Sequence, residues 1–257
     1  MTKVTIIFLL IFVVNLQGQS NSISEIEKAI FRFTNKERTE RGLKSLKFNQ
    51  ELQELAKIHN KNMNDYDFFD HEDQNGMKIG ERRKAFFPEI LGGIGENIAF
   101  NKGYEIEGTA KRLVKQWMNS PGHRENILRK EFTQLGVGIL VEGNKIYGTQ
   151  VFGSLVAKIL TPIPQKLDFG AEKEFTFEFL GDFEKKDITI FVNFPDENAK
   201  FYVSKTQYYT GVGSYKAEWN GNNFKFKVRF DKGKGIYKIQ IGSKGEVFQE
   251  GIEILVE

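Results

Sequence analysis

Three histidines are spread through the 257 residues, His59, His71 and His123, and two of them lie beside turn-forming residues. His71 follows Asp70, and His123 follows Pro121-Gly122; an isolated Glu96 and a Ser120 complete a small polar constellation, with Asn97, Asn119 and Arg124 beside them. Two imidazoles and one carboxylate with a position left open make a reasonable site for a divalent cation such as zinc, calcium or magnesium. The same set also makes a His–Glu pair for proton transfer, or ordinary polar surface and helix caps. Sequence distance alone does not join His71 to His123. Ser120 could donate a hydrogen bond, but nothing around it resembles a nucleophile elbow or an oxyanion hole. His59 falls on an apolar helix stripe and reads as a hydrogen-bonded core histidine.

Most familiar catalytic signatures are missing. His71-Glu72 lacks a second histidine at zincin spacing, no GxSxG or Walker A sequence occurs, and Gly93-Ile94-Gly95 reads as a loop without the third glycine of a dinucleotide fingerprint. The absence of cysteine excludes a disulfide framework, a thiolate metal site, a cysteine nucleophile and a lipid-modified cysteine anchor. A formal charge of +3 with no isolated basic block argues against nucleic acid as a partner. The alternating run Lys225-Phe-Lys-Val-Arg229 reads as a solvated strand face.

The elements that would position the constellation follow from periodicity. An amphipathic helix begins at Ser24, which pairs with Glu27 as a capping box; Ile26, Ala29, Ile30 and Phe33 share its inner face, and Gly42 stops it. A second helix from about Asn49 carries Leu52, Leu55, Ala56, His59 and Met63 on one stripe. A long irregular stretch with His71, Gly76 and Gly80 follows. A helix from about Gly108 to Met118 turns Leu113, Val114 and Trp117 inward, ends at Pro121-Gly122, and a short turn restarts near His123. Strands at Leu135–Val141 and Ile146–Phe152 form a hairpin over Glu142–Lys145. Helices followed by a hairpin imply an α+β arrangement.

Thr161-Pro-Ile-Pro164 marks a linker, taken as 159–168, and beyond it the patterning changes to period two. Phe175–Phe179, Ile188–Ile190, Phe224–Val228, Ile236–Ile241 and Ile252–Val256 predict a C-terminal all-β, Ig-like sandwich over 169–257. Tyr208, Tyr209 and Trp219 are read as strand or core aromatics, with contact to carbohydrate or protein as the alternative. At the other end, Lys3, the apolar run Val4–Val14 and the small residues Gly18 and Ser20 read as a signal peptide over residues 1–20. The expected product is secreted or periplasmic, with no transmembrane segment in the mature chain.

Five short motifs in order give these parts a common reading: Asp70-His71; Gly95-Glu-Asn-Ile-Ala99; Trp117-Met-Asn-Ser-Pro-Gly-His-Arg124; Leu135-Gly-Val-Gly138; and Thr149-Gln-Val-Phe-Gly153. Together with Asn35, Glu37 and Arg38 they resemble the bacterial branch of the CAP (SCP/PR-1-like, cysteine-rich secretory protein) superfamily, over a domain placed at 24–158. The resemblance implies a three-layer α-β-α sandwich with a solvent-open cleft. It assigns His71 and His123 to the two cleft histidines and Glu96 to the first glutamate. The second glutamate falls on Ser120, which removes one carboxylate. Gly148 replaces an aromatic residue, implying a looser strand or extra space near the cleft. The expected function is binding of a small ligand, lipid or divalent cation through His71, Glu96, Ser120 and His123, with His71, His123 and Glu96 as metal ligands. The alternatives are a metal-assisted extracellular hydrolase with Glu96 as base, and an adhesive scaffold whose β-domain binds an extracellular protein or glycan.

Overall fold

The computed structural model describes residues 23–102, 108–243 and 246–257, so the expected signal peptide at 1–20 lies outside the described residues. The chain divides into two compact units, one formed by residues up to Phe86 with Ile94–Ser154, the other by Phe87–Gly93 with Leu155–Glu257.

The first unit has the three layers that the motifs imply. Helix α1 covers 23–39. It is followed by β1 (Lys47–Phe48), α2 (Gln50–Asp65), α3 (Ile79–Phe86), β2 (Ile90–Lys102), α4 (Thr109–Asn119), α5 (Pro121–Leu128), β3 (Gln134–Glu142) and β4 (Lys145–Ile159). The strands run in the order β1-β3-β4-β2. On one face, Leu135, Val137 and Ile139 of β3 pack with Ile26 and Ile30 of α1 and with Leu113, Val114 and Trp117 of α4. On the other, α2 lies so close that a Cβ on Gly136 would stand 2.0 Å from the backbone nitrogen of Gln53. Only a glycine admits that approach, and α2 is seated on the strand accordingly.

Several sequence readings change here. Helix α1 is already under way at 23, and Glu27 does not close a capping box: its Oε1 accepts from the Ile139 N–H at 3.1 Å and its Oε2 from Gln53 Nε2 at 3.1 Å. Phe33, expected inward, is exposed. The stretch expected to be irregular contains α3, and Gly93–Gly95, expected to be a loop, lies within β2. Gly148 opens no space, because a Cβ there would meet Leu113 Cδ1 at 2.8 Å.

In the second unit two sheets enclose one core. The end of β4 pairs with β6 (Glu172–Phe179), which continues to β12 (Asn223–Arg229) and β11 (Glu218–Asn220). The facing sheet runs β10 (Val212–Tyr215), β7 (Ile188–Asn193), β13 (Gly235–Ser243), β14 (Glu246–Val256) and β5 (Lys166–Leu167), the last within the expected linker segment. Phe175, Phe177, Phe224 and Phe226 from one sheet meet Ile190, Val192, Ile239 and Ile254 from the other. This is a β-sandwich. The basic run is indeed a solvated face: Lys225 and Lys227 point outward to Glu174 and Glu172 at 3.2 and 3.8 Å.

Arg38 ties the end of α1 to the segment after α5. Its side chain is buried, and it donates to the carbonyls of Lys44, Ile127, Arg129 and Phe132 at 2.8–3.1 Å. Lysine offers fewer donors in no fixed plane, and charge-assisted bonds of this kind contribute roughly 1.5–3 kcal/mol each. Arg38→Lys should therefore lower the unfolding free energy by about 2–4 kcal/mol in urea denaturation. Arg41→Lys, in an exposed pair with Glu37, should change it by less than about 0.5 kcal/mol.

Candidate functional site

Strand alternation sends consecutive residues of β2 to opposite faces. Glu96 points toward α2 and α3, Asn97 toward α1 and α5. Glu96 is buried, and both of its oxygens are engaged. Arg82 of α3, itself buried, donates through Nη2 to Oε2 in a short ion pair, and Nδ1 of His71 lies 2.9 Å from Oε1. Through Nη1, Arg82 also donates to the carbonyls of His71 and Met77 at 2.8 Å each. One guanidinium thus fixes the loop that carries His71 and the carboxylate that orients its ring. The hydrogen bond to Glu96 pushes the His71 pKa up.

Asn97 does the corresponding work on the other face. Its Nδ2 donates to the carbonyl of His123 at 3.0 Å and to Gln150 Oε1 at 3.1 Å, and its Oδ1 accepts from Asn126 Nδ2 at 3.0 Å. Gln150 passes the chain on to Thr34 Oγ1 at 2.7 Å. Asn97, Gln150 and Thr34 are all fully buried, so this network is satisfied from partner to partner. Asn97 is thus a structural hydrogen-bond partner, and what it holds is a strand.

His123 sits in the first turn of α5, where the dipole disfavours an imidazolium. Burial lowers its pKa, with a further contribution from His71. Its Nδ1 is buried and has no partner. The rings of His71 and His123 stand 6.3 Å apart, so the fold brings together the two histidines that sequence distance could not. His59 is the core histidine expected: Nε2 lies 2.9 Å from the Asp70 carbonyl, and burial lowers its pKa. It also stands 3.9 Å from Glu96, directly behind the site.

Ser120 is placed differently from its expected role. It lines an open depression with Lys111, Arg112, Lys115, Gln116 and Asn119, a set that contains none of the histidines. Arg82 was missed altogether; the only signal for it was an unbroken Arg82-Arg83 pair on a short helix with no apolar stripe. A separate cavity of about 520 Å³ lies along α1, α2 and β3, lined by Ile23, Phe31, Phe48, Val137 and Ile139 with Glu27. It shares no lining residue with the histidine pair.

Among the described residues no three His, Asp or Glu side chains gather into a cation cage. What the arrangement offers is two imidazoles with ring centroids 6.3 Å apart, one of them fixed from behind by a carboxylate. His71 bonds Glu96 through Nδ1, which leaves Nε2 for a ligand, and a carboxylate on the far nitrogen raises the basicity of an imidazole ligand. Removing one member of a buried ion pair strands the other and costs about 3–5 kcal/mol. Arg82→Met should destabilise the fold by about that much. Arg82→Met combined with Glu96→Met should cost less than the sum of the single changes, as read by a double-mutant cycle in urea.

Residues 31–154 match the cysteine-rich secretory protein family, CAP. The YkwD protein of Bacillus subtilis (strain 168) is 38% identical over 133 residues, which cover 52% of this chain and 49% of that protein. The membrane protein YlbC of the same organism is 33% identical over 126 residues, covering 49% of this chain and 34% of its own. Among solved structures, an extracellular protein containing an SCP domain from Bacillus anthracis str. Ames is 32% identical, covering 51% of this chain and 40% of that one, with a TM-score of 0.43. The chain spans half or less of the length of each of these relatives. The ordered motifs, the three-layer α-β-α sandwich and the family match fall on the same stretch: residues 31–154 form a CAP domain of the bacterial branch.

Proposed function

We propose that the CAP domain is a binding module whose histidine pair, His71 and His123, takes up a divalent cation, with zinc the best match. The observation that carries this reading is the chain Arg82–Glu96–His71, which fixes one imidazole beside a second whose ring centroid lies 6.3 Å away. Neutral imidazole suits zinc, whereas calcium and magnesium favour oxygen ligands. The buried, unpartnered Nδ1 of His123 fits the same use, since an orphaned imidazole nitrogen is costly unless something pairs with it. A cation held there would act as a Lewis acid toward a bound oxygen. The chain's own residues supply orientation: Glu96 fixes the His71 ring, Arg82 fixes Glu96, and Asn97 fixes the His123 backbone.

Binding is favoured over hydrolysis because both Glu96 oxygens are already engaged, which leaves no free oxygen to serve as a general base. Among the described residues that line its depression, Ser120 has lysines, an arginine and amides beside it and no carboxylate or imidazole. A small apolar or lipid ligand, if one is bound, belongs in the cavity along α1 and α2, whose size lies in the range of ligand pockets. Among the described residues no helix is long and apolar enough to cross a membrane. The apolar N-terminal run supports export to the periplasm or beyond the cell.

Calorimetric titration of the metal-stripped protein should show saturable zinc binding that is lost in His71→Ala and in His123→Ala, with no response to calcium or magnesium. Binding that survives both substitutions, or no binding at all, would overturn the reading. N-terminal sequencing of the protein recovered from the cell envelope or medium should find the chain starting near residue 21; an intact Met1 would refute export through this segment.

A further inference from the structure

The second unit carries a small sheet outside its two main ones. β8 (Lys200–Tyr202) pairs antiparallel with β9 (Tyr208–Thr210) in the register Lys200↔Thr210, Phe201↔Tyr209 and Tyr202↔Tyr208. Alternation divides this hairpin into two faces. Phe201 turns inward, packed against Tyr215 at 5.0 Å and Phe194 at 6.3 Å between ring centroids, and anchors the hairpin to the core. Lys200, Tyr202, Tyr208 and Thr210 share the outer face.

That outer face is organised. Tyr202 and Tyr208 lie directly opposite each other with ring centroids 5.5 Å apart and planes tilted by 55°. The Lys200 ammonium stands 4.4 Å over the Tyr208 ring. The connecting turn is held by a Val203 N–H to Gln207 carbonyl bond of 2.9 Å and by Ser204 Oγ, which accepts from the Gln207 N–H at 3.1 Å. Yet Tyr202 is 60% exposed and Tyr208 46%, with Tyr209 at the rim 51% exposed. Scattered exposed aromatics need no explanation, but Tyr202 and Tyr208 stand side by side on one face of a hairpin of eleven residues, while Tyr209 lies on the Phe201 face.

The chemistry of the patch selects its partner. Paired tyrosine rings offer flat apolar faces for the C–H faces of a pyranose, with phenolic hydroxyls at the edge for hydrogen bonds to sugar hydroxyls. Residues 200–210 contain Lys200 and Lys205 and no Asp or Glu, so the surface is complementary to negative charge. Val203 is the only exposed aliphatic side chain on the hairpin, too little for the apolar centre that a stable protein interface of about 800 Å² per side requires.

We propose that the β8–β9 hairpin is a docking surface for an anionic polysaccharide, with Tyr202 and Tyr208 stacking on sugar rings and Lys200 pairing with their acidic groups. This site is independent of the histidine pair. Affinity electrophoresis of the full chain through gels containing polygalacturonate, or uncharged dextran, tests it. Polygalacturonate should retard the protein, and dextran should retard it less. Tyr202→Ala and Tyr208→Ala should each weaken binding by about fivefold while leaving the thermal midpoint unchanged. Lys200→Gln should weaken binding at low salt and make it less salt-dependent. His71→Ala should have no effect on it. The proposal fails if polygalacturonate does not retard the chain, or if both tyrosine variants bind as the parent does and only the lysine matters. It also fails if the tyrosine changes leave glycan affinity intact and instead abolish capture of a protein.

Discussion

The histidine site depends on the two-residue alternation of one edge strand. Because Glu96 and Asn97 are neighbours in β2, their side chains leave opposite faces of the sheet, and each reaches a different histidine. Glu96 holds a ring, Asn97 holds a backbone carbonyl. A slip of one residue in the pairing of β2 with β4 would send the carboxylate into the Thr34–Gln150 network and the amide toward Arg82. The register is therefore fixed chemically as well as by apolar packing, since each face accepts only the polar group it was built for. β4 repeats the device: Thr149 bonds Asn60 of α2 at 2.6 Å, while its neighbour Gln150 bonds Thr34 of α1.

Burying this much polarity is expensive unless every group is paired. For the charges of Arg82 and Arg38 the first unit answers this cost in two ways. Arg82 is matched by a carboxylate, so the charges compensate. Arg38 has no carboxylate among its hydrogen-bond partners and spreads its charge over four carbonyl oxygens. The second solution ties two separated stretches of backbone, Lys44 and 127–132, to one side chain, and the second stretch runs from the last turn of the helix that bears His123 into the segment after it. Stability and site geometry in this unit are consequently coupled through the same arginines.

What could be read in advance follows from which signals are periodic. Helices α1, α2 and α4 were legible because their buried residues recur at helical spacing, and the sandwich because its phenylalanines and isoleucines alternate. Helix α3 was not legible: its buried side chains are Arg82 and Arg83, which any hydropathy pattern counts as surface. β2 was hidden by its glycines, which read as a loop. Gly95 is instead a packing residue, since a Cβ there would stand 2.7 Å from the Phe132 ring. Of the four candidate site residues, His71, Glu96 and His123 converge, and they were singled out by rarity and by family motifs. Ser120 was singled out because the position of the family's second glutamate falls on it, but it lines a different depression, beside α4. The exposed tyrosines illustrate the reverse problem, because strand patterning cannot say which face of a short hairpin meets solvent.

The division of the chain has one further consequence. The backbone passes from one unit to the other three times, after Phe86, after Gly93 and after Ser154, and two of these crossings lie inside continuous strands, β2 and β4. Leu91, on the first of those strands, is part of the core of the second unit. The second unit therefore draws part of its core from a segment that the sequence places inside the span of the first. A chain cut anywhere between Gly93 and Leu155 would leave the later fragment without Leu91, so gain or loss of the β-sandwich by recombination within that stretch would demand a rebuilt core.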